Sequence, residues 1–256
     1  MRLAIDIGNT NIVYGVFNGE ALVARFRVAT NLRATGDEYG VTLLALLERH
    51  SINSASISSI IIASVVPALD RGFRQACETY LNLAPWFVGN EIHVPIDVAL
   101  KRPEEVGADR LVNAYMAWKL YDSAAIVIDL GTATSFDVVT KKGVYLGGAI
   151  APGMEISGKA LFEATSKLKK VELVRPERAI GKNTKEAIQS GLFLGYVGLI
   201  DFLVMRMKEE LNESARVIAT GGLAEPFKGV SSQIEEVNLD LTVCGLNKLL
   251  SDKDGL

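Results

Sequence analysis

Apolar and polar positions in this chain fall into short blocks, and the blocks recur. An apolar run at Leu3–Ile7 is broken by Asp6, turns through Gly8 and Asn9, and resumes as a β-rich run at Ile12–Phe17. Ala21–Thr30 then alternates apolar and polar residues, as a half-exposed antiparallel strand does. Three consecutive strands are therefore predicted. From Asp37 to His50 the period becomes helical, with Val41, Leu44, Ala45 and Leu47 on the inner face. Ser59–Val66 reads as a buried strand, Leu69–Leu83 as a second amphipathic helix, and Trp86–Val88 as a short strand.

Glu91–Glu105 is polar, carries Pro95 and Pro103, and reads as an extended loop. It runs into Val106–Arg110, and a helix is predicted from about Leu111 to Tyr121. The pattern then restarts. Ala124–Asp129, Ser135–Thr140 and Gly143–Ile150 predict three strands, and Gly153–Ser166 a helix. Asn183–Glu210 predicts a long helix with Asn183 as N-cap and Glu186 three residues on, close to a capping box. Gly191, Gly195 and Gly198 lie inside it at spacings that suit close backbone packing. Arg216–Thr220 is the last clear strand. Both halves carry the ribonuclease-H-like order, a mixed sheet with helices outside. The expected division is 1–115 and 116–256, an internal duplication with a ligand cleft between the halves.

Composition narrows the function. The formal net charge of -3 argues against nucleic-acid binding, which calls for a basic surplus or patch. The basic spot Lys167–Lys170 is short and interrupted by Leu168, and reads as a solvated helix face. Cys77 and Cys244 are far apart with no CxxC, so buried apolar cysteines are expected rather than a disulfide framework or zinc site. His50 suits a helix C-terminus. The N-terminal apolar run is too short for a signal peptide, and Ile60–Val66, taken as the longest apolar stretch, contains Ser64. The reading is a cytoplasmic protein without a membrane segment.

Two stretches carry candidate chemistry. LAIDIGNTNIVYGVF (Leu3–Phe17) and IVIDLGTATSFDVVT (Ile126–Thr140) align without gaps, Asp6 on Asp129 and Gly8 on Gly131. A short third strand, VIATGGL, ends in Gly221-Gly222. Chains with a GxxxxGK[ST] loop hold phosphates there, and this chain has none. Two hairpin turns would instead offer backbone N–H groups, with Thr10, Asn11, Thr132 and Thr134 side chains. Gly8 supplies backbone freedom for a close turn, and Gly221 and Gly222 would let a nucleoside approach. An ordinary turn explains each stretch singly. Asp6 and Asp129 would flank a metal–nucleotide complex, since hard Mg2+ is held by carboxylates, water and phosphates. Asp109 is a candidate general base, and in isolation equally a carboxylate suiting a helix start. Arg110 would grip a substrate carboxylate or form a surface ion pair.

The order of the three loops resembles the actin, Hsp70 and sugar-kinase superfamily. DIGNTN (6–11), SVVP (64–67), GADR (107–110), DLGTATSFD (129–137), GGAIAPG (147–153) and TGG (220–222) together resemble a type III pantothenate kinase over nearly the whole chain. The resemblance implies two tandem ribonuclease-H-like, actin-like ATPase domains of α/β class. It implies phosphorylation of pantothenate by Mg2+–ATP, the first step of coenzyme A biosynthesis. A homodimer and a requirement for K+ or NH4+ are further implications. It assigns Asp6, Ile7, Gly8, Asn9, Thr10, Asn11, Ile12 and Val13 to the first phosphate loop, with Asp6 on the metal through ATP. Thr132 becomes an ATP contact, and Gly221 and Gly222 fall in the adenosine loop. Asp129 becomes the monovalent-cation ligand. Gly107, Ala108, Asp109, Arg110 and Thr184 become pantothenate contacts, with Asp109 the proton acceptor. Leu100 stands where the family commonly has tyrosine. The competing readings are another actin-like small-molecule kinase and a non-enzymatic transcription accessory factor.

Overall fold

The computed structural model describes residues 1–164 and 171–254. The opening strands are β1 (Arg2–Ile7), β2 (Asn11–Asn18) and β3 (Ala21–Ala29). They are followed by helix α1 (Gly36–Arg49), strand β4 (Ser59–Ser64), helix α2 (Pro67–Leu81) and strand β5 (Trp86–Phe87). A full capping box starts α1: Thr35 Oγ1 accepts the Glu38 N–H at 3.2 Å, and Glu38 Oε2 accepts the Thr35 N–H at 2.7 Å. His50 is the C-cap of α1 and packs its ring 4.7 Å from Phe26. Pro67 opens α2 at a position where its missing N–H costs no helical bond.

The remaining elements are β6 (Asp97–Val98), α3 (Ala108–Tyr121), β7 (Ala124–Leu130), β8 (Ala133–Val139) and β9 (Val144–Pro152). Then come α4 (Met154–Glu163), α5 (Thr184–Leu211), β10 (Ala215–Thr220), β11 (Glu236–Val237) and α6 (Leu241–Asp254). The predicted last residue of the Gly153 helix, Ser166, and the Lys167–Lys170 spot lie outside the described residues.

Contacts divide the chain into two units. One comprises 1–96, 102–116 and 240–256; the other comprises 97–101 and 117–239. In the first, the sheet order is β3-β2-β1-β4-β5, with β1 antiparallel to β2 and parallel to β4. Its core joins Leu3, Ile5 and Ile7 of β1 to Leu43, Leu47, Phe73 and Cys77 of the helices. Helix α6, absent from the sequence reading, also belongs here and packs against β1, β2 and β4. Its Leu241, Val243, Leu246, Leu249 and Leu250 are buried.

In the second unit the sheet order is β11-β10-β7-β8-β9-β6. Apart from the added edge strand β6, this repeats the first order strand for strand. Strand β6 corrects the expectation of an unstructured loop: Asp97 and Val98 pair in parallel with Val144 and Tyr145 of β9. One sheet face is covered by Met154 of α4 and by Phe193, Tyr196, Ile200 and Val204 of α5. By length and composition α5 is apolar enough to cross a membrane, and its run Gly191–Ile200, not Ile60–Val66, is the longer apolar stretch. Its buried stripe is the cover of this sheet. Gly191, Gly195 and Gly198 contact nothing within 4 Å at their missing Cβ, so they do not serve close packing within the chain.

Candidate active site

The two hairpin turns make corresponding bonds, but the second is one residue tighter: Ile7 pairs with Ile12 across the first, and Leu130 with Thr134 across the second. At the first, the Gly8 N–H donates to Asn11 O at 3.1 Å and the Thr30 N–H to Thr10 O at 2.9 Å. At the second, the Gly131 N–H donates to Ala133 O at 3.0 Å and the Gly153 N–H to Thr132 O at 3.1 Å. Glycine at position 8 is not there for a positive φ. Its missing Cβ would sit 3.0 Å from Asn11 O, so the turn requires space. Asn9 and Thr10 are exposed at the tip, and Asp6 is half-buried. Ile7 and Ile12 are wholly buried, so only their backbone is available to a ligand. Val13 is half-buried opposite Asp6 in the ladder.

Next to β1, the end of β4 carries Ser64, whose hydroxyl donates to Asp70 Oδ1 at 2.5 Å. Burial nevertheless holds the Asp70 carboxyl above its usual range. In the same unit, Gly107 and Ala108 lead into α3. Asp109 lies in the first turn, and its Oδ1 accepts the Arg110 backbone N–H at 2.8 Å. A Cβ on Gly107 would sit 2.6 Å from that oxygen, so this glycine makes room for the carboxylate. Burial raises the Asp109 pKa, against the hydrogen bond from and charge of Arg110. A carboxyl that resists ionisation, yet keeps some exposure, is a competent proton acceptor once ionised.

In the second unit, Asp129 ends its strand between two glycine turns. Its Oδ1 lies 2.3 Å from the site of a Cβ on Gly221 and 3.4 Å from one on Gly131. Gly221 has φ +90° and also abuts the Leu130 carbonyl, and Leu223 N–H donates to Leu130 O at 3.0 Å. The TGG segment is thus folded directly onto Asp129. Thr132 and Gly222 are exposed beside these turns, while Thr134 is buried. Sequence reasoning gave no role to the last residue of DLGTATSFD. Asp137 is fully buried: Tyr145 Oη donates to its Oδ1 at 2.6 Å and Ser135 Oγ to its Oδ2 at 3.2 Å. Ser135 is the ladder partner of Asp129. The available signal was a carboxylate in a β-rich run with a hydroxyl two residues before it.

Leu100 follows β6, and its Cδ2 would meet a Cβ on Gly147 at 2.9 Å. Thr184 is exposed at the start of α5. Asn183 caps that helix by accepting the Glu186 N–H at 3.0 Å. Glu186 reaches back to the Lys182 N–H at 2.7 Å, one residue earlier than a strict capping box. Bonds from Lys182 and Asn183 hold the Glu186 carboxyl below its usual range. The loop before Thr184 is pinned by Gln189 Nε2 on Glu172 O at 2.8 Å and Ser190 Oγ on Ala179 O at 2.6 Å.

A family profile described as type III pantothenate kinase matches residues 2–206. The type III pantothenate kinase of Paramagnetospirillum magneticum is 49% identical over 247 residues, 96% of this chain and 95% of that protein. That of Rhodospirillum rubrum is 49% identical over 247 residues, covering 96% of each. Among solved structures, a conserved putative Baf family transcriptional activator from Campylobacter jejuni superposes with a TM-score of 0.64 at 18% identity, covering 99% and 100% of the two chains. A putative 2-dehydro-3-deoxygalactonokinase from Sinorhizobium meliloti gives 0.60 at 14% identity, covering 100% of this chain and 98% of that one. At these identities the superpositions establish the fold alone, mixed sheets flanked by helices of the ribonuclease-H-like class.

Proposed function

The chain belongs to the type III pantothenate kinase family, and from that premise we infer its reaction: it is a kinase that phosphorylates pantothenate with ATP, in coenzyme A biosynthesis. The observation that carries this is near-complete coverage at 49% identity by proteins of that one name.

For the site, we propose that the turns at 6–13 and 131–132 bind the ATP phosphates through backbone N–H groups, Thr10, Asn11 and Thr132. Gly221 and Gly222 take the nucleoside side. The oxygen donors Asp6 and Asp129 fit hard cations: Mg2+ carried with ATP at Asp6, and K+ or NH4+ at Asp129. Such cations supply neutralisation of phosphate charge. Arg110 pairs with the pantothenate carboxylate, and Leu100 and Thr184 border the same substrate. Ionised Asp109 accepts the hydroxyl proton while the hydroxyl oxygen bonds to the γ-phosphorus and the bond to ADP breaks. Its raised pKa gives it a stronger pull on that proton than an ordinary carboxylate has.

We further propose a cytoplasmic homodimer that binds no nucleic acid. The glycine face of α5 supports the dimer, together with exposed Leu194, Phe202 and Met205 on the same helix and Ile156, Leu161 and Phe162 on α4. Catalysis is tested by ADP release in a coupled assay with pantothenate, without it, and with a panel of other small hydroxy acids. Turnover dependent on pantothenate is expected. Preference for another hydroxy acid would overturn the substrate assignment.

A further inference from the structure

The turn between β4 and α2 comes up beside the proposed base. Val65 lies in it, half-buried, and packs against the core of the first unit. Its Cγ1 is 3.5 Å from the point where a Cβ on Gly107 would stand, and Asp109 Oδ1 is 2.6 Å from that same point. The valine methyl and the carboxylate oxygen therefore border one methyl-sized space, which the glycine leaves open.

The turn is held on both sides of the valine. The Val65 N–H donates at 3.0 Å to the carbonyl of Ile7, the last residue of β1. The Val66 N–H donates to Ser64 Oγ at 3.2 Å, and the Ser64 hydroxyl donates in turn to Asp70 Oδ1 at 2.5 Å. Pro67 follows and restricts the backbone of Val66. The β-branched side chain adds stiffness of its own, since it has few χ1 choices. The methyls are thus fixed beside Gly107. What they present to the carboxylate is hydrocarbon, which displaces water and offers no hydrogen bond in its place.

We propose that Val65 is a positioning residue for the reaction: its side chain keeps water from the Asp109 carboxylate and so sets the strength of the base. This rests on Asp109 being the base. Burial is the largest influence on the Asp109 pKa and raises it; Arg110, among the described residues the charged group acting on it, pulls the other way. The titratable group of the β4–α2 turn is Asp70, which is engaged by Ser64 and Arg74. The turn therefore acts on Asp109 through hydrocarbon rather than through charge. Threonine has the outline of valine with a hydroxyl in place of one methyl, and that hydroxyl can bond the carboxylate. Alanine leaves room for water. Either change favours the ionised form, so the pKa of the base falls and the acid limb of the rate profile moves to lower pH.

The test is kcat/KM for pantothenate against pH, with thermal melting, for wild type, V65T and V65A. The substrates titrate alike in every variant, so the displacement of the acid limb from wild type reports the enzyme's base. V65T and V65A should displace it downward by about half to one pH unit. V65T covers the case in which V65A does not fold. An acid limb unmoved or raised in either folded variant, whatever its melting temperature, would overturn the proposal and leave Val65 as packing. D109N separates this from the reading beneath it. If D109N keeps its turnover, the base assignment falls and this inference with it. If D109N is inactive and the limb of V65T is unmoved, only this inference falls.

Discussion

Gly221→Ala should damage both the stability and the nucleotide affinity of the second unit. At φ +90° the backbone is outside the comfortable range of an alanine, a strain of about 1–3 kcal/mol. The new Cβ would also stand 2.3 Å from Asp129 Oδ1 and 2.7 Å from the carbonyl carbon and oxygen of Leu130. Overpacking of that kind costs about 1–3 kcal/mol. The stiffer unfolded chain returns about 0.4–1 kcal/mol. The net loss is therefore about 1–6 kcal/mol, a large share of a typical domain's stability. Gly229→Ala is the matched control: Gly229 has φ +69° with nothing within 4 Å, so alanine there adds strain without the clash. Urea melts of both variants, with ATP titrated by calorimetry, separate the two effects. Gly221→Ala should lose clearly more stability than Gly229→Ala, and it alone should lose ATP affinity, because Asp129 must move. Equal losses in both, or unchanged ATP affinity in Gly221→Ala, would refute the reasoning.

Three further outcomes follow from named contacts. Burial raises the Asp109 pKa, so the fold favours its protonated form; that contribution is complete below the ordinary value of 3.8 and is lost as pH rises through the raised value. Asp109→Asn should accordingly melt at or above the wild-type temperature at neutral pH, with the gap closing toward pH 3.8; a variant less stable at neutral pH than at acid pH, relative to wild type, contradicts the sign. On α5, Asp201 accepts Ser231 Oγ at 2.5 Å, Ser232 N–H at 3.1 Å and Ser232 Oγ at 2.8 Å. Asp201→Ala should cost about 1–2 kcal/mol in urea melts, its partial exposure limiting the loss, and no change would make the contact ornamental. Gly195→Ala should favour the helix by up to about 1 kcal/mol in the separated chain while weakening self-association in light scattering, and an unchanged association constant removes this face from the dimer contact.

The hairpin turns and the tandem strand order were legible because both are local. An apolar run, a carboxylate, a glycine turn and a second run need no distant partner to be recognised, and the same four features occur twice. Helix α6 was not legible. Gly245 interrupts its apolar stripe and reads as a breaker, worth about 1 kcal/mol against alanine. Its reason is distant in sequence and adjacent in space: a Cβ would meet Val112 Cγ1 at 2.7 Å and Val112 O at 2.9 Å. Strand β6 is two residues long and exists only because β9 offers an edge to pair with. In the site, the sequence marked the polar residues at strand ends and missed those behind them. Asp137, with Tyr145 and Ser135, lies on strands whose pattern reads as core. Such residues become visible when their hydrogen-bond partners do.

Turnover of Asp109→Asn is the most direct measurement of the central claim. Asparagine keeps the carbonyl oxygen that accepts the Arg110 N–H, so the start of α3 should persist. The variant should melt as a folded protein and bind ATP as wild type does. Its phosphorylation of pantothenate at saturating substrates should fall by about a hundredfold or more, the range for loss of a general base. A folded, ATP-binding variant that keeps more than about a third of wild-type turnover, a loss far below that range, would contradict the assignment and return Asp109 to the role of a helix-start carboxylate.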